Sequence, residues 1–92
     1  MQDIESGVPI LLAAAGIVSK APGTLLGFYV NNTSSGTVVV YNGTTAVSPS
    51  VAVTGTITPA IGWHAMKLYC PAGCYIDVPS GSINLTAFFA AG

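Results

Sequence analysis

Charge is what this chain has least of. Only Asp3, Glu5, Lys20, Lys67 and Asp77 carry it among 92 residues, and there is no Arg. A typical soluble domain devotes roughly a quarter of its residues to charge. Dispersed charge keeps monomers soluble and apart. A chain without it is expected to work packed against other copies of itself or against a larger body. Phosphate recognition needs clustered Lys or Arg. Lys20 and Lys67 stand far apart in the sequence, so no nucleic-acid partner is expected, and no anionic membrane surface either.

Long hydrophobic runs are missing too. The longest apolar stretch, Val8 to Val18, falls well short of the about 20 residues that a spanning helix needs. It is preceded by Asp3 and Glu5 and by no Lys or Arg, whereas a secretory signal begins basic. The expectation is a protein assembled in a cytosol. Ninety-two residues make one small domain, a size at which oligomerisation often supplements a limited core.

Groups for chemistry are equally scarce. His64 is the only histidine, and Asp77 is the only carboxylate side chain beyond the first residues. Catalysis would need a nucleophile, a base and an orienting group brought together. No serine stands in a nucleophile motif such as G-x-S-x-G. His64 therefore reads as a packing or surface residue beside Trp63, and no enzyme, cofactor or catalytic residue is expected. Cys70 and Cys74 are the only cysteines, spaced C-x₃-C. With one histidine they leave a tetrahedral metal site short of ligands, so no metal is expected. They flank the Pro71-Ala72-Gly73 turn and could face each other across a hairpin. A disulfide is geometrically open to them, and a reducing cytosol favours two buried free thiols.

What the chain does have is the vocabulary of short strands. Turn residues recur about every 8 to 12 positions, with β-branched residues between them. Residues 1–7 read as a polar arm and residues 8–92 as a single domain. Val8 to Val18 supplies one or two strands, with Pro9 weakening the first as a central strand. Thr24 to Asn32 is the clearest strand, with Leu26, Phe28 and Val30 on one face and Leu25, Gly27, Tyr29 and Asn31 on the other. Thr37 to Tyr41 follows, and the two are expected to pair as a hairpin. Pro49 to Thr58 alternates again. His64 to Cys70, Cys74 to Val78 and Ser82 to Ala90 complete the set. Seven or eight short strands in one small domain mean a β-sandwich or a barrel.

Five aromatics, Tyr29, Tyr41, Trp63, Tyr69 and Tyr75, could line a sugar-binding face, although aromatics also fill cores and interfaces. A cross-strand pair of Tyr29 with Tyr41 is the plainer expectation. Asn31, Asn32, Asn42 and Asn84 each begin an Asn-x-Ser/Thr triplet, which matters only in a eukaryotic secretory setting.

The stretch Gly23 to Gly43, read as a G-T-L-L-G strand, an N-N-T-S-S-G-T loop and a valine-rich strand ending in Asn42-Gly43, resembles the opening half of small β-sandwich proteins of tailed-phage virions. Gly73-Cys74-Tyr75-Ile76-Asp77-Val78, followed by Gly81-Ser82-Ile83-Asn84-Leu85-Thr86-Ala87-Phe88-Phe89, is similar to their closing hairpin. Cys70 and Cys74 are not part of that pattern. The resemblance covers most of residues 23–90. It implies an all-β, jelly-roll-like antiparallel sandwich without catalytic residues. It also implies a virion protein of the capsid decoration (cement) or head- and tail-fibre type. The composition adds the expectation of a homo-oligomer, a trimer above other symmetries, and the resemblance implies that it sits on the lattice of the major capsid protein. The rival expectation is a fibre or adhesin module that binds a host receptor or glycan. An exposed aromatic cluster including Trp63 would favour that rival.

Overall fold

The computed structural model describes residues 8–91; the sequence-expected arm at residues 1–7 lies outside them. Eight strands follow one another: β1 (Val8–Leu12), β2 (Gly16–Ser19), β3 (Gly23–Ser34), β4 (Val39–Asn42), β5 (Val51–Ala52), β6 (Gly62–Cys70), β7 (Cys74–Asp77) and β8 (Ser82–Ala91). They form two antiparallel four-stranded sheets, ordered β1-β8-β3-β6 and β2-β7-β4-β5. The pairs nest like the rungs of one long hairpin. Val8 faces Phe89 at one end, Gly23 faces Cys70 midway, and Tyr41 faces Ala52 beside a tip at residues 43–50. Rolled up, this ladder gives the double Greek key of an eight-stranded jelly roll. The all-β, jelly-roll-like sandwich expected from the sequence is the fold.

The rolling corrects the expected local pairings. β3 and β4 do not form a hairpin; they lie in different sheets. The chain between them crosses the sandwich at Ser35, which adopts a left-handed backbone (φ 52°). Thr33 Oγ1 accepts the Gly36 N–H at 3.0 Å, and the Thr37 N–H reaches the Ser80 carbonyl at 3.0 Å. The closing hairpin is likewise absent, because β7 and β8 belong to opposite sheets. Tyr29 and Tyr41 are therefore not a pair. The expected strand over 49–58 shrinks to β5 and a single bridge between Val38 and Ile57.

Two inner faces make the core. Leu25, Phe28 and Val30 come from β3, Val40 from β4, and Ile76 from β7. Ile83, Leu85, Ala87 and Phe89 alternate along β8, as its period-two pattern requires. β3 departs from its expected alternation. Leu25, not Leu26, is buried with Phe28 and Val30. The cause is a bulge: opposite β8 the register passes from Leu25↔Phe89 to Gly27↔Phe88, so β3 holds one residue more than its partner. Over the same step β6 runs from Leu68 to Ala65, with Lys67 in a left-handed conformation (φ 66°). Successive strands thus gain length across the sheet, and the outer surface bends around this point.

Cys70 ends β6 in one sheet and Cys74 begins β7 in the other, so their turn is a corner between sheets and not a hairpin. Both are free thiols and both are fully buried. Asn42 clamps the corner, its Oδ1 accepting the Ala72 N–H at 2.8 Å while the Gly43 N–H bonds to the Gly73 carbonyl.

Candidate functional site

The outer face of the β1-β8-β3-β6 sheet is where apolar side chains meet solvent. Register alone assembles it. One row across the sheet reads Leu11, Thr86, Tyr29 and Trp63, from strands β1, β8, β3 and β6. The next row reads Pro9, Phe88, Gly27 and Ala65. Leu11 is 65 % exposed, Trp63 50 % and Tyr29 44 %. Tyr69 stands further along β6, opposite Thr24, and is 61 % exposed. A large aromatic ring left half in water is unusual, because aromatics bury 150–250 Å² each when covered.

Trp63 is held, not loose. A Cβ on Gly27 would lie 2.8 Å from its Cη2 and 2.9 Å from its Cζ2, so the missing side chain is what lets the indole lie against the strand. Phe88 meets the ring edge-on, with centroids 5.5 Å apart and planes at 73°. Beside the aromatic pair runs a ladder of neutral polar groups. Asn31 Nδ2 donates to Asn84 Oδ1 at 3.0 Å and to Thr86 Oγ1 at 3.1 Å. On the other side of Trp63, Leu26, Ala65, Met66 and Lys67 enclose an open hollow of about 350 Å³. Two of these lining residues, Leu26 and Lys67, lie at the β3 and β6 irregularities.

The expected aromatic set is thereby split. Tyr29, Trp63 and Tyr69 share this face. Tyr41 and Tyr75 stand opposite each other on the second sheet, with centroids 6.5 Å apart in an edge-on pair. Sequence reasoning missed Leu11 and Phe88 as members of the face. The signal was present in β8, where Phe88 falls out of phase with the buried Leu85, Ala87 and Phe89.

The remaining groups of chemical interest are placed as follows. His64 is half-buried against Phe28, centroids 5.5 Å apart, and its Nε2 is 2.7 Å from the Ala60 carbonyl oxygen. Asp77 lies on β7 of the opposite sheet. Among the described residues no three His, Cys, Asp or Glu side chains gather as a metal site would need. Burial pushes both thiols above the ordinary range near 9.0. For Cys74 the neighbouring Cys70 adds to the effect; for Cys70 a hydrogen bond with Cys74 partly offsets it. A protonated, enclosed thiol is a poor nucleophile. Asn32 and Asn84 border a smaller hollow of about 150 Å³ with Ser34 and Ser82. One sheet face thus carries an aromatic platform, a polar ladder and a hollow together. No family model matches the chain, and no curated protein or solved structure matches it.

Proposed function

We propose that this is a structural virion protein, a capsid decoration (cement) protein that binds the outside of a phage shell as a homo-oligomer, a trimer above other symmetries. The observation that carries the reading is the balance of the folded surface. Ten large hydrophobic side chains are exposed among the described residues, against three formal charges there, Lys20, Lys67 and Asp77. Contiguous apolar patches mark contact surfaces, and Tyr29 and Trp63 adjoin across β3 and β6 on one sheet face. The jelly roll agrees with the virion sandwiches that the sequence resembles. Val47, Val51 and Val53, in and beside β5, are exposed and supply an apolar surface on the second sheet for the lattice. The mechanism is linkage. A protein that binds only the assembled shell stabilises it by mass action.

The test mixes the purified protein with undecorated shells of its phage. Co-sedimentation and a raised shell melting temperature are expected, with electron density for a 9.2 kDa chain at lattice junctions. Deleting residues 1–7 should leave the fold intact and weaken attachment, if the arm acts as a strap. Virions that carry this chain only on a tail or head fibre would overturn the shell reading. They would support the second one, a fibre or adhesin module for a host receptor or glycan, which the exposed Trp63–Tyr29 pair favours.

A further inference from the structure

We propose that the outer face of the β1-β8-β3-β6 sheet is a binding site for a neutral carbohydrate, with a pyranose ring stacked on Trp63. This inference stands whether the protein sits on a shell or on a fibre. A pyranose offers an apolar face of C–H groups and a rim of hydroxyls, and its recognition needs a flat ring and uncharged hydrogen-bonding groups. Both are here side by side. Trp63 presents a half-exposed indole whose position is set by Gly27 behind it and Phe88 at its edge. A ring already held in place loses little conformational freedom on binding, which favours affinity. Tyr29 stands directly opposite Trp63 and adds a phenol at the same level. Asn31, Asn84 and Thr86 lie next in line, already oriented by the hydrogen bonds of Asn31 to the other two. An amide both donates and accepts, and a hydroxyl does the same, so this ladder matches sugar hydroxyls without requiring charge.

The hollow beside Trp63 is open and holds about 350 Å³, space for a sugar unit next to the indole. Leu26, Ala65 and Met66 line it with Trp63, and Lys67 is the one charged residue among those named on this face. A nucleotide, a phospholipid headgroup or an acidic peptide would want more cations. A second strand added at the edge is also a poor fit, because the left-handed Lys67 interrupts β6 and Pro9 removes a donor from β1.

Trp63 is the only tryptophan, so its own emission reports on the site. The protein is titrated with soluble hexasaccharides of glucose, galactose, mannose and N-acetylglucosamine, followed by fluorescence and calorimetry. At least one is expected to give a saturable change in emission and a matching heat. Trp63→Ala should weaken that binding by about 30-fold or more, the scale of a central aromatic contact. Ile17→Thr, on β2 of the opposite sheet, should leave it unchanged. If Trp63→Ala disturbs folding by circular dichroism, Asn31→Ala replaces it, and a several-fold loss is expected. The proposal is overturned if no hexasaccharide binds at concentrations up to about 1 mM, or if binding survives both substitutions. It is also overturned if the wild-type protein sediments as an oligomer that Trp63→Ala dissociates. A second copy would then cover the indole.

Discussion

Single residues decide the shape of this sandwich where backbone and ring approach each other. Gly27 is the clearest case. A methyl there would collide with the His64 carbonyl oxygen, which belongs to the β3–β6 ladder, and would push the Trp63 ring outward. Gly27→Ala is expected to cost about 1–3 kcal/mol, the range for overpacking, and to shift the Trp63 emission spectrum. Urea unfolding and fluorescence of the same samples check both. The two thiols make a different kind of residue-level statement. Burial holds their folded-state pKa values above the ordinary 9.0. Above that pH the unfolded chain loses thiol protons that the folded chain keeps, so the folded state binds more protons and stability falls as pH rises. Stability from this source is complete below about pH 9 and declines above it. The slope is at most about 1.4 kcal/mol per pH unit for each thiol. Urea midpoints measured from neutral to alkaline pH should show the decline. The Cys70→Ala/Cys74→Ala double variant should lack that component while losing about 1–3 kcal/mol at pH 7 through packing.

At the scale of elements, the strands were legible and their partners were not. β3, β6 and β8 announce themselves through alternation, and the inward set of β8 follows directly from Ile83, Leu85, Ala87 and Phe89. Short-range reasoning then pairs each strand with its neighbour in sequence. In a jelly roll most consecutive strands leave for the opposite sheet, so the turn residues that suggest hairpins at 32–37 and 79–82 instead mark crossings. The β3 bulge hid the inward role of Leu25, because one extra residue reverses the phase of everything before it. The candidate face was half legible for the same reason. Its aromatics could be named, but which of them share a sheet depends on long-range register. Edges give a further lesson. Pro9 interrupts β1, an irregularity between Ile17 and Ser19 interrupts β2, β5 is only two residues long, and Lys67 kinks β6. All four are recognised ways of blocking strand addition, which leaves the sheet faces as the surfaces open to contact. The crossings themselves can be tested at Gly81. It has a left-handed backbone (φ 69°), and a Cβ there would strike the Ser35 backbone and lie 2.7 Å from the Ser34 carbonyl oxygen. Gly81→Ala combines backbone strain with a collision at the β3–β4 crossing. A loss of about 2–4 kcal/mol in chemical denaturation is expected.

For the molecule as a whole, two properties follow from nested pairing and missing charge. The first and last strands must meet before the sheet can close, so nearly all stabilising contacts are non-local. Folding is therefore expected in the millisecond-to-second range of β-sandwiches and not the microseconds of helical bundles. Stopped-flow refolding followed by Trp63 emission would measure it. The second property concerns attachment. From Ala21 to Met66 the chain carries no formally charged side chain, and the surfaces assigned to lattice and sugar are built from Val, Leu, Tyr, Trp and amides. Salt screens interactions between charges, with a Debye length of about 10 Å at 0.1 M and about 3 Å at 1 M. An ionic attachment would weaken steeply over that range. An attachment made by apolar burial would not, and excluded salts such as sulfate would strengthen it. If the protein decorates shells as proposed, that binding is expected to change less than about threefold between 0.1 M and 1 M sodium chloride, and to tighten in ammonium sulfate. Sedimentation of protein–shell mixtures across the two salts measures this directly. Release of the protein by 1 M sodium chloride would place the attachment on the few charges, Asp3, Glu5, Lys20, Lys67 and Asp77, and would remove the apolar surface as its cause.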